Sequence, residues 1–528
     1  MIFSTPEMGL SQNAYLKTPP EKITTNNYIE KFNEQNNRTC FTKWMHDNPT
    51  TLKVVQIASV LIGVAAIASL PWTLPAVGIA IASTIAVTGG VLLLATLASW
   101  LFQKYLTSDK HEITEQVFQA GEHEFGRLYY RGNIPILELD DSNPYGAGLA
   151  HASLLGEHIH RLKKNLDLIL HGILRKPDAD QIPKVIEALK REIPEEYLEE
   201  MKGLTDGFNQ WAKETNNSAP HVTVEDVLLM HLIADIKHFN PSQVENTLSG
   251  HKSIWERISD ALTPSPACTT LLHRDEEKGV IFGRNMDWCP FGHGGGESLF
   301  VVWKHSGVAT LGVPGLIGAG TGWNRDRLTF AMNVSPGETS EVRGMPSMLY
   351  NRHIVQNAHS VEDAESLMER VKPLGPYHLT LADPSGNGKS VSFYQGENQT
   401  DHIRSLDEDE DLDEEVLQVL NYTYPKLEGN IFNSEGRREL LNRYFGGANK
   451  DINEGKSEWY NLIDNALKLT PLVNAWMTLH SLMLVPQSGD VAVSWDNGYA
   501  ADMPRQNINM DEFFPRSQMS ESQEGEEI

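Results

Sequence analysis

The longest apolar stretch of the chain lies between residues 54 and 103, and Pro71 and Pro75 interrupt it once. Two prolines so close together favour a turn between two helices. A helix needs about 20 apolar residues to cross the hydrocarbon core of a bilayer. Lysines flank the stretch on both outer sides and none lies in the turn, which favours both ends on the cytosolic side. The pattern predicts a transmembrane helical hairpin; a buried hairpin in a soluble domain and partial insertion are the alternatives.

The hydrophobic periodicity of the remaining chain changes near residue 267. Apolar residues recur mostly at helical spacing between 112 and 240, which predicts mostly helix there. After residue 267, short β-type runs alternate with Gly and Pro, for example over 299–303 and 328–334. A helix-rich part followed by a largely antiparallel sheet indicates an α+β fold.

These patterns divide the chain into five predicted segments. Near both ends the composition is polar, and the last residues are rich in Ser, Glu and Gln, which is typical of disorder. In order, the segments are a polar and loosely ordered start (1–53), the membrane hairpin (54–103), a mostly helical pro-region (112–267), a strand-rich catalytic domain (268–515) and an acidic disordered tail (516–528).

Charge and cysteine content narrow the classes of function. The formal net charge is −26, from 44 basic and 70 acidic residues, and a negative field of this size repels nucleic-acid phosphates. We therefore expect no nucleic-acid partner. Three cysteines without a Cys-x-x-Cys pair do not form a disulfide framework, and they favour a reducing compartment.

The most informative segment is a predicted β-hairpin that begins at Cys268. Two β-type runs, 268–273 and 280–288, surround a polar turn. If the turn is centred near Glu276 and Glu277, Cys268 lies across from about Asn285, and Arg284 and Asp287 come within its reach. A neighbouring guanidinium favours the thiolate form of a cysteine.

Cys268 gains a base of its own if the peptide bond after Ala267 is cut. A free α-amino group has a pKa of about 7.7–8.0 and accepts a thiol proton without help from a histidine. The carboxylate of Asp287 suits the task of orienting that amine. The residues before the cysteine, 263–267, form a proline-rich loop in which the backbone is expected to be exposed for self-cleavage.

The run from Cys268 to Trp288 resembles the start of the mature catalytic chain in the acid ceramidase and N-acylethanolamine acid amidase family. It is also similar to choloylglycine hydrolases and isopenicillin N acyltransferases. In this group, arginine and aspartate follow the cysteine by sixteen and nineteen positions, as Arg284 and Asp287 do here. The resemblance implies an αββα sandwich of the N-terminal-nucleophile hydrolases, with an N-terminal cysteine nucleophile and no cofactor.

Three further residues acquire roles through the same resemblance. Asn333 follows a Gly-Thr-Gly-Trp-Asn run and corresponds to an oxyanion donor of the bile salt hydrolase branch. Asn421, in Leu-Asn-Tyr, resembles the family's Thr-Asn-Tyr element, whose asparagine is also an oxyanion donor. Arg437 resembles the arginine of the active-site charge network. Leu420 replaces the family's threonine, and the spacing from Asn421 to Arg437 is longer than in the ceramidase branch.

The resemblance and the hairpin together predict a membrane-anchored amidase that cleaves the carbon–nitrogen bond of an N-acyl lipid, such as a ceramide or N-acylethanolamine. Its two cleaved chains are expected to form an α/β heterodimer. An acyltransferase of the isopenicillin N type and a catalytically degenerate, membrane-bound interaction protein are the alternatives. The Glu-rich end, 520–528, resembles export signals of effectors secreted by intracellular bacteria, which implies a host-cell membrane.

Several other motifs have simpler interpretations. His151, His158 and His160 are clustered, but no nearby carboxylate or cysteine completes a zinc pattern, so no metal is expected. Cys289 lacks a flanking base and is interpreted as a packed thiol. The run His-Gly-Gly-Gly at 293–296 is similar to the oxyanion loop of lipases. The chain has no Gly-x-Ser-x-Gly elbow that would use such a loop, so it is expected instead to be a mobile loop over the site.

Overall fold

The chain divides into two compact units, one formed by residues 1–28 with 112–528 and the other by residues 29–111. The computed structural model describes residues 36–38, 107–108, 117–132, 134–168, 182–215, 219, 221–232, 234–235, 267–288, 298–335, 343–394, 402–406, 416–422, 433–453, 458–470, 472–475, 477–496 and 498–515. In the smaller unit these are two short antiparallel strands, β1 (Asn36–Arg38) and β2 (Thr107–Ser108).

Four of the sequence predictions fall outside the described residues. These are the hairpin at 54–103, the self-cleavage loop at 263–266, the His-Gly-Gly-Gly loop with Cys289, and the acidic tail. Within the described ranges, no helix combines the length and the apolar character that a membrane crossing requires.

The larger unit contains a ten-stranded sheet in the order β14-β13-β12-β11-β10-β9-β8-β5-β4-β3. Neighbouring strands are antiparallel except β5 and β8, which run parallel. The strands are β3 (Val117–His123), β4 (Gly126–Arg131), β5 (Ile134–Leu139), β8 (Leu299–Trp303), β9 (Val308–Gly312), β10 (Thr321–Asn324), β11 (Thr329–Val334), β12 (Tyr377–Ala382), β13 (Gly388–Phe393) and β14 (His402–Ser405).

The prediction of mostly helix over 112–240 is wrong for its first part, because this segment opens with the three strands β3 to β5. All six residues of Ile134–Leu139 are buried, including Glu138, so β5 shows no alternation of buried and exposed positions. Periodicity alone does not separate such a run from a buried helix. Through β5, the segment before Cys268 shares one sheet with the strands that follow it.

Among the described residues, six helices are associated with this sheet. They are α1 (Pro144–Leu168), α2 (Ile182–Lys190), α3 (Glu195–Glu214), α4 (Val224–His231), α5 (Ser347–Asn357) and α6 (Val361–Met368). Helices α1 and α3 approach each other closely at glycines: a Cβ at Gly203 would lie 1.9 Å from the Tyr145 carbonyl oxygen. Thr223 and Asp226 form a reciprocal capping box that begins α4, as expected for this residue pair.

A six-stranded antiparallel sheet, in the order β15-β6-β7-β16-β17-β18, forms the second sheet. Its strands are β6 (Ala267–Asp275), β7 (Gly279–Asp287), β15 (Leu417–Val419), β16 (Thr478–Val485), β17 (Asp490–Trp495) and β18 (Gln506–Asn509). The helices α7 (Ser434–Asn453) and α8 (Trp459–Leu467) accompany it, and short 3-10 turns lie at Ala500–Asp502 and Met510–Glu512.

Alternation along the strands sorts the side chains between two faces. On β6, Leu271 packs in a cluster with Leu441 of α7 and Ile463 of α8. Its neighbour Thr270 points the opposite way and bonds to Asn333 of β11 in the other sheet. Successive strand residues face opposite sides, so the helices of this sheet lie on the face that is turned away from the ten-stranded sheet.

The ten-stranded sheet repeats this arrangement. On β11, Phe330, Met332 and Val334 pack with residues of α1 to α6. Asn333 alternates with them and points to the six-stranded sheet, where it bonds to Thr270. The layers therefore follow the order helix, sheet, sheet, helix, and the predicted α+β class is confirmed. The site described below lies between the two sheets and at the outer face of β6 and β7.

Candidate active site

The hairpin that begins at Cys268 is formed by β6 and β7, with a register one residue from the predicted one. Cys268 pairs with Met286, whereas Asn285 pairs with Thr269. The loop has three residues, 276–278, because Asp275 Oδ1 accepts the N–H groups of two loop residues and Gly279 closes the turn at φ +78°. An odd loop moves the centre of the hairpin by half a residue, which changes each cross-strand partner by one.

Arg284 and Cys268 are in direct contact, as the sequence spacing predicts. Arg284 Nη2 donates to Cys268 Sγ at 2.9 Å, and both side chains are buried. The same guanidinium donates through Nη1 to Asn333 Oδ1 at 2.8 Å and to Thr270 Oγ1 at 3.2 Å. A buried cation that is held in place on several sides stabilises negative charge on the sulfur without first reorganising.

The thiol nevertheless needs a base. Burial raises the pKa of Cys268 above its usual value, and the Asp287 carboxylate raises it as well. Arg284 and the backbone N–H of Asp287 act in the opposite direction. In the uncut chain, the nitrogen of Cys268 is an amide and accepts no proton. The sulfur therefore stays protonated in this environment.

Asn421 and Arg437 hold the backbone of Cys268. The Cys268 N–H donates to Asn421 Oδ1 at 2.9 Å, and the carbonyl oxygen of Cys268 accepts from Arg437 Nη1 at 2.7 Å. Arg437 Nη2 donates to the same Asn421 Oδ1 at 2.8 Å and to Ser434 Oγ at 2.9 Å. The Cys268 nitrogen is thus held by Asn421, which Arg437 fixes in turn.

The two asparagines connect the sheets. Asn333 Nδ2 donates to the Val419 carbonyl oxygen at 2.8 Å, and Asn421 Nδ2 donates to the Val334 carbonyl oxygen at 2.6 Å. An amide NH₂ carries two hydrogens. Among the described residues, each Nδ2 donates one hydrogen bond, so the second hydrogen of each amide is not used there.

Asp287 lies beside the predicted cleavage point, because it pairs with Ala267 across the hairpin. Its Oδ1 accepts from Thr478 Oγ1 at 2.7 Å. Burial raises the pKa of the Asp287 carboxyl to about 6, while Arg437, Thr478 and Arg284 oppose this shift. At neutral pH the group carries negative charge, which suits the orientation of an ammonium.

All six residues predicted for the site thus belong to one connected cluster. Several buried polar residues around the cluster have no role predicted from the sequence, namely Thr270, Asn285, Ser434, Thr478 and His480. Asn285 Nδ2 bonds to the carbonyls of Leu467 and Val473 and so anchors the end of α8. Thr270 and Asn285 lie within the run from Cys268 to Trp288, whereas no local sequence signal marks the others.

His151, one of the clustered histidines, and His231 on α4 both bind backbone N–H groups of the fold. His151 Nε2 accepts the N–H of Gly315, and His231 Nε2 accepts the N–H of Ile317. Burial lowers the pKa of His151 to about 3 and of His231 to about 4, so both are neutral acceptors that tie α1 and α4 to the β9–β10 loop. In the part of the chain that the structure describes, no group of three His, Cys, Asp or Glu side chains is placed to hold a metal ion.

A separate polar cavity of about 480 Å³ lies at the opposite end of the ten-stranded sheet. Its lining includes Asp141, Glu200, His305 and Arg352, and none of the six predicted site residues. Arg352 and Glu200, two of its lining residues, form a buried ion pair at 2.7 Å.

Residues 274–431 match the family model described as acyl-coenzyme A:6-aminopenicillanic acid acyl-transferase. The matched range contains Arg284, Asp287, Asn333 and Asn421, while Cys268 and Arg437 lie just outside it. The match confirms the relationship to the N-terminal-nucleophile hydrolases that the sequence motifs predict.

Other similarities are more distant. An uncharacterized protein of Archaeoglobus fulgidus is 22% identical over 343 residues, which are 59% of this chain and 54% of that protein, so the chain spans about half the length of this relative. The N-acylethanolamine-hydrolyzing acid amidase ortholog of Caenorhabditis elegans aligns with a TM-score of 0.34 and 18% identity, over 42% of this chain and 93% of that one. A mutant of the conjugated bile acid hydrolase from Clostridium perfringens aligns with a TM-score of 0.32 and 13% identity, over 46% and 93%.

Proposed function

We propose that the chain is an amide hydrolase in which Cys268 becomes the N-terminal nucleophile once the bond after Ala267 is cut. The observation that carries the proposal is the double hold on this residue. Arg284 contacts the sulfur at 2.9 Å, while Asn421 accepts from the backbone nitrogen at 2.9 Å. Sulfur and nitrogen of one residue are thus placed separately, as a nucleophile and its own base require.

Self-cleavage is the first step of the proposal. Cys268 Sγ attacks the carbonyl carbon of Ala267, and the bond from this carbon to the Cys268 nitrogen breaks as the nitrogen takes up a proton. Water then hydrolyses the resulting thioester and releases the Ala267 carboxylate and the thiol. The two chains are held together by the pairing of β5 with β8, which supports the proposed α/β heterodimer.

Turnover follows the same chemistry on a substrate amide. The free amine of Cys268 accepts the thiol proton, the thiolate attacks the acyl carbon, and the leaving amine takes the proton. Water then cleaves the acyl-enzyme. The second N–H groups of Asn333 and Asn421 are the proposed oxyanion donors, and one such donor is worth about 3 kcal/mol of the barrier.

We infer an N-acyl lipid as the substrate class, for example a ceramide or an N-acylethanolamine. The apolar residues at 54–103 support this choice, since an anchored enzyme meets amides that lie in the bilayer plane. The lysines that flank this stretch support a catalytic domain on the cytosolic side. The acidic composition of residues 520–528 supports a host-cell membrane as the target.

Acyl transfer to a second amine is the other candidate, favoured by the family model that the chain matches. The acyl-enzyme is common to both reactions, and they differ in whether water or an amine resolves it. Adding an ordinary primary amine as acceptor distinguishes them: a transferase is saturated by the amine and forms the new amide at the expense of the free acid, whereas a hydrolase continues to release the acid.

The deciding experiment uses the full chain in vesicles with a panel of N-acyl amides, analysed by mass spectrometry. We expect fragments of 267 and 261 residues, an amino-terminal Cys268 and release of free acid. Cys268→Ala should abolish cleavage and turnover, while Cys40→Ala, the matched cysteine control, should change neither. An intact wild-type chain without amide turnover would contradict the proposal and favour a binding role.

A further inference from the structure

Strand β16 carries an irregularity opposite Asp287. Thr478 pairs with Asp287 and His480 pairs with Met286, so Leu479 is an extra residue on β16 and the register shifts there. Without this β-bulge, the apolar side chain of Leu479 would stand opposite the carboxylate. Bulges beside active sites commonly re-aim a side chain, and here the bulge presents a hydroxyl to Asp287.

The hydroxyl of Thr478 has a defined direction. Its Oγ1 accepts the backbone N–H of Ala475 at 2.8 Å and lies 2.7 Å from Asp287 Oδ1. Because Oγ1 already acts as an acceptor for Ala475, its hydrogen is left for the carboxylate. Thr478 is fully buried, so water does not replace it in this role.

The charged and titratable groups around Asp287 come from three elements. They are the guanidiniums of Arg284 on β7 and Arg437 on α7, and the titratable thiol of Cys268 lies beside them on β6. Both guanidiniums are occupied elsewhere, Arg284 with Cys268 and Asn333, and Arg437 with the Cys268 carbonyl and Asn421. Within the described residues, Thr478 is the one side chain that donates a hydrogen bond to Asp287.

We propose that Thr478 is the positioning residue for Asp287: its hydroxyl fixes Oδ1, so that the other carboxylate oxygen faces the amine of Cys268. This inference rests on the proposed function, because the amine exists only after cleavage. A donated hydrogen bond also favours the ionised carboxylate. Loss of the hydroxyl should therefore leave a buried carboxyl that takes up its proton at higher pH and orients the amine poorly.

The test compares Thr478→Val and Thr478→Ser in the full chain, using kcat and KM for an N-acyl amide across pH. Valine should lower kcat about 10-fold to 100-fold, which is less than the roughly 100-fold to 10,000-fold contributed by a group that transfers the proton itself, because Thr478 acts through Asp287. KM should stay within about two-fold, and the acidic limb of the profile should move to higher pH. Serine should restore both. Thr329→Val is the matched control, since this buried threonine bonds to the Arg327 carbonyl at the far end of β11.

A second measurement does not depend on turnover. Carbon-13 NMR of labelled aspartate in the Cys268→Ala chain, with and without Thr478→Val, follows the titration of Asp287, which should occur at higher pH in the valine variant. If valine does not fold, Thr478→Ala replaces it in both assays.

The outcomes separate the two proposals. Wild type without Cys268-dependent turnover overturns the proposed function, and the NMR titration still tests Thr478. An unchanged titration, a valine variant with the wild-type pH profile, or a serine variant as impaired as valine would each overturn the positioning role.

Discussion

Arg437 and Cys268 are 169 positions apart in the chain, yet Arg437 Nη1 donates to the carbonyl oxygen of Cys268 at 2.7 Å. The same guanidinium fixes Asn421 Oδ1, which accepts the N–H of Cys268. One buried cation on α7 therefore fixes both the N–H and the carbonyl oxygen of Cys268. It contacts the backbone of Cys268 rather than its sulfur.

Replacing Arg437 should impair self-cleavage and turnover together. Hydrogen bonds to a charged group contribute about 1.5–3 kcal/mol each, so Arg437→Gln should slow the appearance of the two fragments about 10-fold to 100-fold. Densitometry of fragments over time measures this rate.

The neighbouring arginine is the matched control for this substitution. Arg438 pairs with Glu435 at 3.4 Å, and its side chain is 39% exposed. Arg438→Gln should therefore leave the cleavage rate unchanged. If Arg437→Gln cleaved as fast as Arg438→Gln, its proposed hold on the nucleophile would be refuted.

Arg284→Gln should raise the pH at which Cys268 reacts. The guanidinium lowers the pKa of this thiol against the effect of burial, so its loss disfavours the thiolate. The rate of alkylation by iodoacetamide as a function of pH, followed by mass spectrometry of the Cys268 peptide, measures the change.

The same hairpin offers a matched control for Arg284. Arg274 lies on its exposed part and bonds to the Gly386 carbonyl, so Arg274→Gln should leave the alkylation profile where it is. An identical profile for wild type and Arg284→Gln would exclude a role for Arg284 in stabilising the thiolate.

Asn333→Ala and Asn421→Ala should each lower both kcat and stability. Their amides bridge the two sheets by donating to Val419 and Val334 carbonyl oxygens, and leaving such a buried group unpaired costs about 1–3 kcal/mol. Removing an oxyanion donor lowers kcat about 100-fold to 1,000-fold. Urea denaturation and steady-state kinetics measure the two effects separately.

Asn324→Ala distinguishes the two effects of these asparagines. Asn324 Nδ2 bridges to the Val355 and Ala358 carbonyl oxygens, far from Cys268. Its loss should lower stability by a similar amount without a separate loss of kcat. If the fall in kcat followed the fall in the free energy of unfolding in the same way for all three variants, Asn333 and Asn421 would stabilise the fold without acting as oxyanion donors.

The sequence predicts the part of the site that is local. Cys268, Arg284 and Asp287 lie on one hairpin, and a hairpin brings residues together whose spacing can be counted along the chain. The other three site residues lie on distant elements: Asn333 on β11, Asn421 at the end of β15 and Arg437 on α7. No periodicity connects them to Cys268, and only the resemblance of their motifs to those of known families predicted them. The prediction of the hairpin register missed by one residue because the loop has an odd number of residues.

What the sequence does not predict depends on tertiary pairing. Thr478 reaches Asp287 through a one-residue shift of β16 on β7. All eight residues of β16 are buried, so no alternation of buried and exposed positions marks where the shift occurs. Similarly, β5 is buried along its whole length because β4 and β8 flank it. Both features are decided by which strands meet.

The free energy of unfolding should fall as the pH is lowered from about 6.5. Burial depresses the pKa of His151 to about 3 and of His231 to about 4 in the folded chain, whereas the unfolded residues titrate near 6.5. Between these values the unfolded state binds more protons, so each histidine removes up to about 1.4 kcal/mol of stability per pH unit. Urea denaturation of the Cys268→Ala chain, which remains a single polypeptide, at pH 7 and pH 5 measures the slope.

His151→Gln combined with His231→Gln should flatten this dependence of stability on pH. The control is His359→Gln, at an exposed residue whose pKa is raised by its bond to Asp326, and it should not flatten the dependence. An unaltered slope in the double variant would show that other groups, such as the buried His378 and His480, carry the acid sensitivity.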